Sequence, residues 1–173
     1  DGRISPDRAV KAIAQYERTL ISSESRFDKF LNGKGSYSAV EQLGFELFNN
    51  EIGLCFHCHG TVLLTDNQFH NNGLDSVPAD SGLAAITGKS FDLGKFKSPS
   101  LRNVEFTAPY MHDGRFDTLE EVLEFYSDGI HKTALTDPLL RARRHTLTAA
   151  QQRAIVAFLK TLSDAKFMRT HRP

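Results

Sequence analysis

The chain has 173 residues, the size of one domain, and it is long enough to bury a hydrophobic core. Its 21 Lys and Arg residues balance its 21 Asp and Glu residues, and a net charge of zero argues against nucleic acid or an anionic membrane as the main partner. No apolar run is long enough to cross a bilayer, so membrane insertion is not expected.

The first part of the chain is predicted to form three helices. Ser5-Pro6-Asp7 is typical of a helix start, with serine as the N-cap and proline at the first helical position. A short second helix is predicted over 26–31 and ends at Gly33. Ser38 and Glu41 form a capping box for the third helix. The inner faces are predicted to carry Val10, Ile13, Ala14, Leu20 and Ile21 in the first helix and Val40, Leu43, Leu47 and Phe48 in the third.

The third helix leads to Cys55-Phe56-His57-Cys58-His59, which has the spacing of a c-type haem attachment site. Two sulfur atoms three positions apart lie on one face of a helical turn, where Cys55 and Cys58 can form thioethers with the porphyrin. The imidazole of His59 follows directly and is the expected proximal iron ligand. The sequence therefore predicts one covalently bound haem c.

Three other interpretations of the motif are weaker. A thioredoxin-like C-x-x-C requires a βαβ pattern, which the sequence lacks. A zinc site would need further ligands, yet the chain has only 2 Cys and no second Cys/His pair at finger spacing. A disulfide between residues three apart closes a very small loop and stabilises little.

The rest of the chain alternates irregular and helical segments. The stretch 60–95 has no helical or strand period, and an apolar porphyrin offers a surface for such a chain to wrap. Asp117 and Glu120 resemble a capping box, and the helix that follows ends at Gly129; Thr148 and Gln151 begin a last helix. Their inner faces are predicted to carry Leu119, Val122, Leu123 and Tyr126, and Ile155, Phe158, Leu159 and Leu162. No strand is predicted, so the expected fold is mainly α: a cytochrome c-like helical domain with long irregular loops around the haem.

Two blocks, Phe96-Lys97-x-Pro99-x-Leu101-Arg102-Asn103 and Thr107–Gly114, resemble the C-terminal haem domain of bacterial di-haem cytochrome c peroxidases and MauG-like proteins. Residues 16–21 with 25–28 resemble the segment that joins the two domains of that family, and 158–162 resemble its end. The resemblance covers nearly the whole chain.

The resemblance implies a division of the chain into an interdomain helical segment, 1–37, and a haem domain, 38–173. A second haem domain, which binds hydrogen peroxide in this family, is expected as a partner because only one C-x-x-C-H is present here. Covalent haem attachment implies a periplasmic location. A periplasmic electron donor or protein substrate is the other expected partner.

The sixth iron ligand has four candidates: Met111, His112, Tyr126 and the distant Met168. On chemistry alone a thioether or an imidazole is the commoner choice. The resemblance favours Tyr126, because the MauG-like branch carries a tyrosine ligand one helix beyond the His-Asp-Gly block. Met111 is the alternative, and His112 is expected to hydrogen-bond near the haem rather than to bind iron. A phenolate stabilises oxidised iron, whereas methionine raises the potential.

Other roles are implied for residues of the two blocks. The family binds calcium between its haems, and Thr107 and Pro109 match positions whose backbone carbonyls contribute, a donor type that suits calcium. Arg102 and Lys97 are candidates to pair with the haem propionates. His70 is expected to be an ordinary loop residue.

The sequence thus predicts an oxidoreductase, the electron-transfer or high-valent haem c domain of a periplasmic MauG-like di-haem peroxidase. The isolated chain is expected to need the second haem domain for activity. The alternative is a stand-alone mono-haem electron carrier that uses Met111 and has no catalytic activity.

Overall fold

The computed structural model describes residues 3–171, so Asp1, where the predicted interdomain segment begins, lies outside the described residues. The fold is mainly helical, as predicted. Its α-helices are, in chain order, α1 (Pro6–Glu17), α2 (Arg26–Leu31), α3 (Ala39–Phe48), α4 (Phe56–His59), α5 (Ala84–Thr87), α6 (Leu119–Glu124), α7 (Pro138–Ala142), α8 (Ala149–Lys160) and α9 (Ala165–Thr170). Within 3–171, no helix is long and apolar enough to span a membrane.

Most of the predicted helix starts are confirmed, because they depend on contacts between near neighbours in the sequence. Ser5 caps α1, and reciprocal capping boxes begin α3 at Ser38 and α8 at Thr148. The box at α6 is formed by Thr118 and Glu121, one residue later than predicted. The Glu121 carboxylate accepts the N–H groups of both Asp117 and Thr118 at 2.9 Å, which fixes the register of this helix start.

Helices α3 and α8 form the main helix pair of the core. Leu47 and Phe48 on α3 are buried, as predicted, against α8 residues that include Ile155 and Phe158. The contact is close because α3 carries Gly44, where a Cβ atom would lie 1.9 Å from the carbonyl oxygen of Ala154. The prediction that Val40 and Leu43 also face the core is wrong, and both are exposed.

Helix α1 differs from its predicted packing. It has no buried residue, and Val10 and Ile13 are 64% and 58% exposed. The helix ends at Glu17, so Leu20 and Ile21 lie beyond it. Helix α2, by contrast, inserts Phe27 into the core, where its ring packs edge-on against Phe158 with centroids 6.1 Å apart.

The long segment between α4 and α6 has more structure than its sequence predicts. Phe69–His70 (β1) and Phe96–Lys97 (β2) form an antiparallel pair in which His70 lies opposite Phe96, so the expectation of no strand is wrong. Short 3₁₀ turns occur at Ser90–Asp92 and Val104–Phe106, and a π-helical turn, Phe125–Gly129, extends α6. Ser98, the residue after β2, donates to the carbonyl of Cys58 at 3.0 Å and so ties this irregular segment to the C-x-x-C-H turn.

Candidate functional site

The helices and the long loops enclose a cavity of about 580 Å3 between α4 and α6. Most of the candidate site residues predicted from the sequence line this cavity. These are Cys55, Cys58, His59, Lys97, Thr107, Pro109, Met111, His112 and Tyr126. Arg102 lies outside this lining, as does Met168, which is on α9.

The attachment motif forms a single helical turn, α4, with Cys55 at its N-cap. Both thiols are free, and burial raises the pKa of Cys55 to about 11 and of Cys58 to about 12, the latter with a contribution from Asp137 and Asp66. Thiols that remain protonated at neutral pH are poor nucleophiles. This environment does not suit a thioredoxin-like redox pair, which depends on a lowered thiol pKa.

His59 is oriented by the loop that follows it. Its Nδ1 donates to the carbonyl oxygen of Leu64 at 3.2 Å, which leaves Nε2 as the nitrogen available to iron. Burial lowers the pKa of His59, so the ring is neutral, as a metal ligand must be. The Ser98 hydroxyl donates to the carbonyl of Cys58 at 3.0 Å and holds the end of the motif in place.

Tyr126 and Met111 enter the cavity from other segments and meet at one amide group. The Asn72 Nδ2 lies 3.4 Å from the Tyr126 hydroxyl oxygen and 3.5 Å from the Met111 sulfur. Tyr126 belongs to the π-helical turn after α6, and Met111 has a left-handed backbone conformation with φ 73°. Burial raises the pKa of Tyr126, although the hydrogen bond from Asn72 acts in the opposite direction. Unusual backbone of both kinds is common at functional sites.

A buried arginine, Arg143, joins the two sides of the cavity. Its guanidinium donates to the carbonyl oxygens of Tyr126 at 2.7 Å, His145 at 3.0 Å and Ile52 at 3.2 Å. Ile52 lies three residues before Cys55, the first residue of the C-x-x-C-H motif. Arg143 therefore links the segment that carries the anchors to the turn that carries Tyr126.

His70 lies between two carboxylates at the edge of the cavity. Its Nε2 is 2.7 Å from Asp66 and its Nδ1 is 2.8 Å from Asp137, so both ring nitrogens donate when the ring is protonated. Burial acts to lower the pKa of His70, but the two carboxylates outweigh it and the net shift is upward. Cys58, Asp66 and His70 could also meet around a metal ion. That would require His70 to give up a short hydrogen bond, and the buried Cys58 thiol to ionise.

The other nominated residues have different surroundings. Arg102 forms a bidentate pair with Asp28 at 2.9 and 3.0 Å, so its guanidinium is committed to α2. Lys97 is exposed and donates to the carbonyl of Ser98 at 3.3 Å. His112 is exposed and stacks on Phe96, with ring centroids 3.8 Å apart. Thr107 and Pro109 are exposed at the edge of the cavity.

The sequence reasoning missed Asn72 and Arg143 and treated His70 as a plain loop residue. Asn72 lies in a segment with no periodicity, and Arg143 belongs to the Arg141–Arg144 stretch, which reads as a solvated charge run. Neither Asn72 nor Arg143 belongs to a recognisable sequence motif. The asparagine-glycine sequence at Asn72-Gly73 signals a turn, but not the direction of the amide.

The cavity and its donors fit a haem. Its volume lies within the range of cofactor pockets, and a neutral imidazole, two protonated thiols and a second group of iron donors face it. The remaining lining is largely apolar, as a porphyrin requires. It includes Phe48, Leu54, Phe96, Leu101, Val104, Leu119, Val122, Leu123, Leu140, Leu147, Ile155 and Leu159.

Comparison with known sequences points to one group of proteins. The family model for di-haem cytochrome c peroxidases matches residues 2–36. The cytochrome-c peroxidase IdrP1 of Pseudomonas sp. (strain SCT) is 32% identical over an alignment that covers 90% of this chain and 49% of that protein. The methylamine utilization protein MauG of Methylorubrum extorquens is 36% identical, over 92% of this chain and 45% of its own length.

Solved structures agree with the sequence matches. A MauG-like protein associated with microbial copper homeostasis is 39% identical with a TM-score of 0.79, over 88% of this chain and 51% of that one. The diheme peroxidase BthA from Burkholderia thailandensis is 26% identical with a TM-score of 0.66, over 83% of this chain and 47% of its own. The chain thus spans about half the length of the curated relatives that it matches.

Proposed function

The chain belongs to the family of di-haem cytochrome c peroxidases and MauG proteins, and on that premise we propose that it is the C-terminal haem c domain of a MauG-like di-haem peroxidase. In this proposal residues 38–173 form the haem domain and 1–37 join it to a second haem domain. The activity is that of an oxidoreductase, in which this domain passes electrons to the second haem domain or stores an oxidising equivalent for it.

The observation that carries the proposal is that two cysteines, a histidine and a tyrosine line one largely apolar cavity. In a haem-loaded protein, Cys55 and Cys58 would serve as covalent anchors, His59 would bind iron through Nε2, and Tyr126 would supply the sixth ligand. Bound haem c supplies one-electron redox chemistry, and the axial ligands and nearby hydrogen bonds tune its potential. A phenolate from Tyr126 is a hard anionic donor that favours the oxidised state.

The nearby polar residues then have supporting roles. Arg143 donates hydrogen bonds to the carbonyl oxygens of Tyr126 and Ile52, and so fixes the position of the proposed ligand relative to the cysteine anchors. His112, which stacks on Phe96 at the edge of the cavity, is proposed to hydrogen-bond near the haem. Lys97, exposed and lining the cavity, is a better candidate than Arg102 for a propionate partner, because Arg102 is paired with Asp28.

Several features belong to the whole protein. We propose that it is periplasmic, that hydrogen peroxide reacts at the second haem domain, and that a periplasmic electron donor or protein substrate supplies the electrons. The exposed carbonyls near Thr107 and Pro109 are proposed to contribute to a calcium site shared with that domain.

Low-temperature EPR of the ferric, haem-loaded protein tests the proposal. If Tyr126 is the sixth ligand, the six-coordinate signal of the wild type collapses in Tyr126→Phe, because the phenyl ring has no oxygen to bind iron. Tyr110→Phe is a matched control, since Tyr110 lines the same cavity but its hydroxyl donates to the carbonyl of Val104 at 2.9 Å. Its signal is expected to stay unchanged.

Met111→Leu distinguishes the alternative. If the signal survives in Tyr126→Phe and collapses in Met111→Leu, the sixth iron ligand is Met111. That result would support a mono-haem electron carrier. The relatives, which are named cytochrome c peroxidases and MauG, do not favour that alternative.

A further inference from the structure

The amide of Asn72 is held with its nitrogen facing the cavity. Its Oδ1 accepts the backbone N–H of Leu74 at 3.2 Å, and a backbone N–H can be satisfied only by the oxygen of the amide. The NH2 group consequently points at Tyr126 and Met111, at 3.4 and 3.5 Å. The orientation follows from the turn itself, before any cofactor is considered.

The turn that carries Asn72 is fixed on both sides. The side chain of Asn71 is buried, accepts from the N–H of Gly73 at 2.9 Å and donates to the carbonyl of Leu93 at 3.0 Å. Gly73 has φ +72°, and its carbonyl accepts the N–H of His131 at 2.9 Å. A donor held by this many contacts is preorganised, so it keeps its direction when its acceptor changes.

The two acceptors are unequal. A thioether sulfur accepts hydrogen bonds weakly, whereas a phenolate oxygen is a charged acceptor and keeps a free lone pair after it has bound a metal. The oxygen of Tyr126 is therefore the stronger acceptor for the Asn72 NH2 group. A hydrogen bond from this group would draw electron density away from an iron-bound phenolate oxygen and weaken its donation to iron.

We propose that Asn72 is a positioning residue that hydrogen-bonds the iron-bound oxygen of Tyr126 and thereby raises the reduction potential of the haem. The inference rests on the proposed function, in which Tyr126 is the sixth ligand. An anionic ligand alone would give the haem a very low reduction potential. The inference assigns to Asn72 the role of raising that potential.

The test is a redox titration of the haem-loaded protein at pH 8 with two variants that lack the donor. Asn72→Leu removes the N–H group and also the acceptor for Leu74, whereas Asn72→Ser keeps a hydroxyl acceptor for Leu74, is too short to reach Tyr126 and adds no charge. We expect both variants to have a lower midpoint potential than the wild type. For Asn72→Leu the ferric-to-ferrous ratio at a fixed potential should rise about tenfold, which for a one-electron couple is about 59 mV.

The two variants separate a tuning role from a structural one. If Asn72 acted only by holding the turn, Asn72→Leu would shift the potential and Asn72→Ser would not, which overturns the proposal. Unchanged potentials in both variants overturn it as well. If Asn72→Leu does not fold, Asn72→Ser alone decides between the two outcomes. The comparison is repeated in a Met111→Leu background, and loss of the shift there would mean that the amide acts through the sulfur.

Failure of this inference can be told apart from failure of the proposed function. If Tyr126→Phe leaves the ferric EPR signal unchanged, Tyr126 is not the ligand and both proposals fail. If Tyr126→Phe collapses the signal while the Asn72 variants keep the wild-type potential, only the role of Asn72 is refuted. In a Tyr126→Phe background, Asn72→Leu is expected to cause no further shift.

Discussion

Arg143 shows how one buried side chain can hold a site together. It is 7% exposed, and its guanidinium binds carbonyl groups from three segments, those of Ile52, Tyr126 and His145. The π-helical turn gives up regular helical hydrogen bonding around Tyr126, and Arg143 supplies a donor there. Burial lowers the pKa of Arg143, and among residues 3–171 it has no carboxylate partner, so these carbonyls are what offset the loss of its hydration.

We expect Arg143→Leu to destabilise the haem-loaded protein by about 3 kcal/mol, because three carbonyl groups lose the donor that joins their segments. The measurement is chemical denaturation followed by circular dichroism. Arg143→Lys should recover only part of the loss, since one ammonium group cannot reproduce the guanidinium fork. Arg144→Leu is the matched control: Arg144 is exposed, and a change within about 0.5 kcal/mol is expected. Equal effects at the two positions would contradict the bridging role.

Among the secondary-structure elements, the crossing of α3 and α8 determines where the cavity lies. The C-terminal end of α3 leads into the C-x-x-C-H turn, and Ile155 and Leu159 on α8 form part of the cavity wall. The helices approach so closely at Gly44 that a Cβ there would meet the carbonyl oxygen of Ala154 at 1.9 Å and the Cβ of Phe158 at 2.9 Å. The carbonyl oxygen of Ala154 is part of the α8 backbone, so it can make room for a new Cβ only if one of the two helices moves.

Gly44→Ala is therefore expected to destabilise the protein by about 2 kcal/mol. Overpacking at this crossing outweighs the helix propensity that alanine gains over glycine, about 1 kcal/mol. The matched control is Gly35→Ala, where the nearest atom to a new Cβ is Lys29 Cβ at an ordinary 3.4 Å. Thermal unfolding of both variants, haem-loaded, measures the difference. A Gly44→Ala variant as stable as Gly35→Ala would show that the crossing can relax.

Helix starts could be predicted from the sequence, whereas helix faces could be predicted only in part. A cap such as Ser5, Ser38 or Thr148 depends on contacts within three or four residues, so the sequence contains all the information. Which side of α3 is buried depends on where α8 crosses it. The exposed Val40 and Leu43 satisfy the helical period and still miss that contact.

The candidate site shows the same difference between local contacts, which a sequence motif predicts, and long-range contacts, which it does not. Cys55, Cys58 and His59 are found by a motif because their geometry is local to one turn. Asn72 meets Tyr126 across 54 residues of sequence, and Arg143 meets Ile52 across 91. No local pattern encodes such contacts, and they exist only after the chain has folded around the cavity.

His70 makes the clearest of these long-range contacts, since it joins three segments of the fold by charge. Asp66 follows the attachment turn and donates its N–H to the carbonyl of Cys58 at 2.9 Å, while Asp137 caps α7 through the N–H of Leu139 at 2.9 Å. The imidazole of His70 lies between them. Both ring nitrogens find acceptors only when the ring is protonated, so this contact between distant segments depends on pH.

Because the pKa of His70 is raised on folding, its contribution to stability is complete below its unfolded pKa, about 6.5, and is lost as the pH rises through the folded value. We therefore expect His70→Gln to lower the free energy of unfolding by about 2 kcal/mol at pH 6 and by clearly less at pH 9. Denaturant titrations of both haem-loaded proteins at several pH values give this difference, in which groups common to the two proteins cancel. His145→Gln, at an exposed position, should show no such trend. A difference that grows toward alkaline pH would mean that the two carboxylates hold a neutral ring.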